Sequence, residues 1–146
     1  MMTASAGCSG LVLETPGTEP PPHLQAEVRE LIRLVNYHRA AIDCKPLVWD
    51  DAVGRVAQGH SEDMVRRSFF SHINPDGESP FQRLSDAHIS YRRAAENIAA
   101  GQQTARGVLA GWLSSSGHRE NIEECRYTHH GVGLDQAHWT HVFIGK

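Results

Sequence analysis

The spacing of apolar residues changes character along this chain, and that change limits its fold more than any other feature. Leu24, Val28, Leu31, Val35 and Ile42 recur at helical intervals with charges between them, which predicts a first helix. The string "KPLVWDD" reads as a loop delivering Asp50 as the N-cap of a second helix. That helix carries Val53, Val56, Ala57, His60 and Met64 on its buried stripe and ends near Ser68. "NPDG" is a turn in which Pro75 presets its own dihedral and Gly77 supplies positive φ. Ser79 opens a third helix, with Pro80 at its first position and Gln82 completing a capping box. A fourth helix follows Thr104, with Val108, Leu109, Trp112 and Leu113 on one face.

Extended segments cluster late. "ENIAA" is short and apolar, while "HHGVGLD" and "HWTHVFIG" read as a hairpin joined around Gln136 and Ala137. Trp139, Val142 and Ile144 do not alternate cleanly, which implies either a central strand buried on both faces or a bulge. Helices early and strands late give an α+β domain whose sheet is covered by helices. Residues 1–22 are rich in Thr, Ser, Gly and Pro and are expected to form a disordered tail or linker, leaving residues 23–146 as the domain. At 146 residues the chain fits one domain with a real core. A net charge of -3 gives no electrostatic reason to expect nucleic acid. No stretch approaches the roughly 20 apolar residues that cross a bilayer. "GLVLE" is too short for the apolar core of a secretory leader, so the chain is either cytosolic or exported with its leader outside this sequence.

Three polar residues sit in distinctive strings: His72 in "FFSH", Glu96 in "AENIAAG" and His118 in "SGHRENI". Two imidazoles and a carboxylate can bind a metal, shuttle a proton or orient a polar ligand. None lies at helical spacing from another, so only tertiary structure could assemble them. The zinc helix HExxH, the phosphate-binding glycine loop and the nucleophile elbow are all missing from the sequence. Ser115 and Ser116 stand near His118 and raise a serine hydrolase reading, but such spacing more often caps a helix or shapes a turn. His60, on the apolar stripe, reads as a hydrogen-bonded core residue. His129 and His130 adjoin a strand start, one facing in and one out, and His138 and His141 lie in the last strand; a bland surface affinity for metal is all they suggest. Cys44 and Cys125 fall in loops, and spacing alone leaves open a bridge or two free thiols. Cys8, in "SAGC", is left over and lacks the apolar run that precedes a lipid-modified cysteine.

Taken together, "LVNYHRA", "PLVWDDAVGRVAQGHSEDM", "FFSHINPDGESPFQRL", "AENIAAG", "GWLSSSGHRENI", "YTHHGVGL" and "HWTHVF" resemble, in order, the CAP superfamily of cysteine-rich secretory, antigen 5 and pathogenesis-related proteins. The similarity is greatest to its bacterial SCP-like branch. The resemblance implies a three-layer α–β–α sandwich with a central, mostly antiparallel sheet and a polar cleft. His72, Glu96 and His118 match three positions of the family's tetrad, and Ser115 stands where animal and plant relatives carry a second acid. Ala95 replaces the usual glycine. The resemblance also implies a Cys44–Cys125 disulfide and an extracellular protein.

Two functions follow as expectations. One is a secreted monomeric binding module in which His72 and His118 hold zinc or another divalent cation weakly, with Glu96 as an additional ligand or as support behind the imidazoles. A lipid, sterol or cell-wall component would be its further ligand, although that property does not transfer residue by residue. The other is a protease-like hydrolase using Glu96, His72 or His118 on a water, or Ser115 activated by His118.

Overall fold

The computed structural model describes residues 17–146. Among them are five helices and a four-stranded sheet: α1 (Ala26–Ala41), β1 (Val48–Trp49), α2 (Asp51–Arg66), α3 (Pro80–Asp86), β2 (Arg93–Ala100), α4 (Ala105–Leu113), α5 (Ser116–Glu123), β3 (His129–Asp135) and β4 (His138–Gly145). Strand order is β1-β3-β4-β2. The short β1 runs parallel to β3, and the other two pairings are antiparallel.

Local chemistry starts the helices where the sequence places them. Asp50 Oδ1 accepts from Val53 N, Ser79 Oγ from Gln82 N and Thr104 Oγ1 from Gly107 N, each at 3.0 to 3.1 Å. The capping box at Ser79 is only half made, because the Gln82 amide donates to Asp86 Oδ1. Gln136 and Ala137 both take positive φ, 43° and 58°, and close a two-residue hairpin between Asp135 and His138.

Two elements differ from the sequence expectation. β1 occupies the expected loop "KPLVWDD", held by Val48 N on Thr128 O and Asp50 N on His130 O. α5 was not foreseen, because it buries only Ile122 and so lacks an apolar stripe. Most of the expected tail, with Cys8, lies outside the described residues. Its described end meets the domain: Trp49 N donates to Gly17 O at 2.8 Å, and Pro20 is buried.

The sheet is the middle of three layers. On one side Val28, Leu31, Ile32 and Val35 of α1 pack with Val108, Leu109 and Trp112 of α4 and Ile122 of α5 against Trp139 and Phe143. On the other, Val53 and Ala57 of α2 and Leu84 of α3 pack against Val142 and Ile144. β4 is therefore central and buried on both faces, which is why its apolar residues do not alternate. Gly131 and Gly133 bring α2 onto β3: a Cβ at either would collide with the helix backbone at Val53–Gly54 or Ala57–Gln58. A disulfide joins Cys44, after α1, to Cys125, after α5. Beside it the fully buried Arg39 donates to the carbonyls of Lys45, Ile122, Glu124 and Tyr127.

Candidate functional site

β2 forms an outer edge of the sheet, and two consecutive residues on it organise the site from opposite faces. Glu96 pairs with Val142 and points toward the α2–α3 layer; Asn97 pairs with His141 and points toward α4 and α5. Glu96 Oε1 accepts from His72 Nδ1 at 2.8 Å, and Oε2 accepts from Arg83 Nη2 at 2.8 Å. The glutamate side chain is 1% exposed, whereas that of His72 is 47% exposed. This hydrogen bond places a proton on His72 Nδ1 toward Glu96 and leaves Nε2 outside that pairing.

The segment carrying His72 is clamped along its length. Phe69 N donates to Met64 O, and Arg67 bridges Asp63 to Asp76. Arg67 thereby holds the Asp63 carboxyl below the usual range. Asn74, buried, caps its own turn through Asp76 N and Glu78 N, and Gly77 has φ 86°. Arg83 also donates to His72 O and Glu78 O.

His60, read from sequence as a core histidine, is one: it is 1% exposed and its Nε2 donates to Ser71 O at 2.8 Å. Burial lowers its pKa, the Glu96 charge opposing that shift. His60→Leu should remove about 2 kcal/mol of stability, since the Ser71 carbonyl loses its donor. Backbone amide exchange should accelerate from Phe69 to Ile73, and His60→Gln should restore protection. Unchanged exchange in His60→Leu would show that the clamp does not depend on this ring.

On the other face, Asn97 Nδ2 donates to His118 O at 3.0 Å, and Asn121 Nδ2 donates to Asn97 Oδ1 at 2.8 Å. His118 rests against Trp112, whose indole N–H is taken by Ile98 O. Partial burial lowers the His118 pKa, and the charge of His72 lowers it further, so His118 lies within reach of the His72 charge. Its Nδ1 is buried without a partner.

The structure thus joins His72 to Glu96 directly and brings His118 within reach of the His72 charge. Glu96 differs from a free ligand because both its oxygens are occupied. Among the described residues no group of three or more His, Cys, Asp and Glu side chains is arranged to hold a metal. Ser115 begins α5 without capping it through its side chain, and no hydrogen bond links it to His118. Arg83 and Asn97 were missed from sequence. The signal for Asn97 was available, because the residue after Glu96 in a strand must face the opposite layer. Arg83 had none, since a helical arginine reads as solvated.

Fold and site together define an SCP-type α–β–α domain. The family model of the Cysteine-rich secretory protein family, CAP, matches residues 32–143, and the chain belongs to this family. It is 38% identical over 131 residues to the uncharacterized protein YkwD of Bacillus subtilis, covering 88% of this chain and 51% of YkwD. Against the uncharacterized membrane protein YlbC of the same organism it is 37% identical over 118 residues, 81% of this chain and 34% of YlbC. The chain therefore spans about half of one relative and a third of the other. Its fold is similar to an extracellular SCP-domain protein of Bacillus anthracis, with TM-score 0.80 and 35% identity over 82% of this chain and 40% of that one. An outer surface protein of Borrelia burgdorferi shares the fold at TM-score 0.72 and 19% identity, covering 84% of this chain and 98% of its own.

Proposed function

We propose that this domain works outside the cell as a binding module whose cleft takes a divalent cation such as zinc on His72 Nε2 and on His118. The observation that carries the reading is the carboxylate behind His72. A metal-binding imidazole typically donates its other N–H to a carboxylate, which fixes the tautomer and strengthens the donor. Glu96 has that position, with Arg83 orienting its second oxygen. Two imidazoles with water completing the shell make an open, weak site, unlike a four-ligand structural centre. The extracellular setting is supported by the disulfide and by the extracellular and outer-surface descriptions of similar structures. No helix of the described residues is long and apolar enough to cross a membrane.

Calorimetric titration with zinc should show one site. His72→Ala and His118→Ala should each abolish it, and Glu96→Gln should weaken it by about tenfold. Binding should fade in acid because protons compete for the same lone pairs, and burial together with the His72 charge keeps His118 available to lower pH than a free imidazole. An isotherm unchanged in both histidine variants would sink the proposal. A metal-independent hydrolytic activity abolished by Ser115→Ala would favour the hydrolase reading instead.

An organic ligand has its own support in the exposed apolar side chains near His72. Phe70, Ile73 and Phe81 are about half exposed, and all lie on the His72 segment or the first turn of α3. They suit a lipid or an apolar cell-wall component. Loss of co-sedimentation with phospholipid vesicles in Phe70→Ser together with Phe81→Ser would support that addition, and no co-sedimentation of the native protein would remove it.

A further inference from the structure

A fully buried pair of histidines that the cleft does not use lies inside the hairpin. His130 and His141 are both fully buried, with His130 Nδ1 3.0 Å from His141 Nε2. One proton occupies that bridge. A neutral pair carries a second N–H, which must sit on His130 Nε2 or His141 Nδ1, and neither atom has a partner. Among the described residues no protein group accepts that second N–H, whichever ring donates across the bridge.

The surroundings leave no place for added charge. Trp49 meets His130 edge-on, and Phe143 and Trp112 flank His141 with centroids at 4.0 and 5.9 Å. The charged neighbour from α1 is the Arg39 cation, and from β3 the adjacent His129 acts on His130. Glu124 and Tyr127, after α5, face Arg39. From β2 the group in register with His141 is the neutral Asn97, and α5 offers His118 only across Trp112. No carboxylate is among the groups whose charge acts on either ring.

We propose that the His130–His141 pair is an acid-sensitive latch, closed when both rings are neutral and opened by acid because the core cannot accept a third proton on the pair. Opening would reach the cleft along a physical path. His141 stacks on Trp112, Trp112 on His118, and Asn97 opposite His141 holds the His118 carbonyl. The latch is independent of whether the cleft binds metal.

The sign follows from burial. Desolvation first, and then the Arg39 charge, lower the His130 pKa to about 3, and His141 is also held well below 6.5. In the open chain both rings return to about 6.5. Stability from the closed latch is thus complete above that value and is lost as pH falls below it. Each ring raises the open-to-closed ratio by up to about tenfold per pH unit, and the pair by up to about a hundredfold.

Amide hydrogen exchange of Val132 and Val142 in the native protein, corrected for intrinsic rates, measures this ratio. Between about pH 6.5 and 5.5 it should rise by at least about tenfold. In a His130→Leu, His141→Phe double variant the rise should be smaller by about tenfold or more, because only His60, His118 and His129, whose pKa values burial also lowers, remain to drive it. A rise in the double variant equal to that of the native protein would overturn the proposal. If the variant does not fold, the native protein still decides by NMR of the imidazole rings. Both rings silent down to about pH 5 in the folded state supports the latch, and titration of either near 6.5 refutes it.

Discussion

Replacing Arg39 with methionine should lower folding stability by about 4 kcal/mol, a large share of what a domain of this size possesses. The guanidinium is fully buried and donates to Lys45 O at 3.0 Å, Ile122 O and Glu124 O at 2.9 Å, and Tyr127 O at 3.1 Å. Those carbonyls come from the exit of α1, the end of α5 and the approach to β3, so one side chain ties three backbone segments. Methionine follows the aliphatic stem and removes every donor. Each deserted carbonyl costs about 1 to 3 kcal/mol if it stays dry. The summed loss is moderated because three of the four bonds are only part-buried, where water can enter, and because the desolvated cation disappears too. Burial already draws the arginine pKa down to about 10, which still leaves it charged at neutral pH. Lysine should rescue little, since a single ammonium cannot span four acceptors around a plane. Urea denaturation would show a lower midpoint with an unchanged slope. A loss below about 1 kcal/mol would mean that the surrounding loops satisfy themselves without Arg39.

What could be read beforehand follows from how local each determinant is. α1, α2 and α4 announce themselves because one face of each contacts apolar layers on both ends of its length, and Asp50, Ser79 and Thr104 cap through bonds three residues away. The hairpin was legible because its turn spans two residues. β1 was not, since two residues carry no period and its pairing partner lies about 80 positions later. α5 fails the same way: it is held by His38 on Glu123, by Asn97 on the His118 carbonyl and by Arg39 on Ile122, all from outside the helix. His72, Glu96 and His118 stand out in the sequence by their strings and by resemblance, with Glu96 expected either as an additional metal ligand or as support for the two imidazoles. Only the fold shows both Glu96 oxygens taken, one by His72 and one by Arg83. Strand alternation puts one of His129 and His130 inward without saying which, and the contact of His130 with His141 depends on register across the hairpin.

Opening the Cys44–Cys125 bridge, by reduction or by serine at both positions, should cost roughly 4 kcal/mol in the chain-entropy model, given a sequence separation of 81 residues. That loss arises in the unfolded chain, whose ends are freed, and so Arg39 cannot compensate for it by holding the same junction in the native state. The native geometry should nevertheless persist. His38 Nε2 to Glu123 Oε2 at 2.8 Å and the four Arg39 bonds keep α5 against α1 without the sulfurs. Reduced protein in mild conditions should therefore retain the His72–Glu96 contact and the position of His118 while unfolding at a lower denaturant concentration. Combining reduction with Arg39→Met tests the division directly. Distinct mechanisms, one acting on the unfolded chain and one on native contacts, should give losses that add to within about 0.5 kcal/mol despite their proximity. If reduction instead releases exchange protection only across residues 116–127 and leaves the global midpoint in place, the bridge is a local fastener for α5. The loop-closure account would then fail.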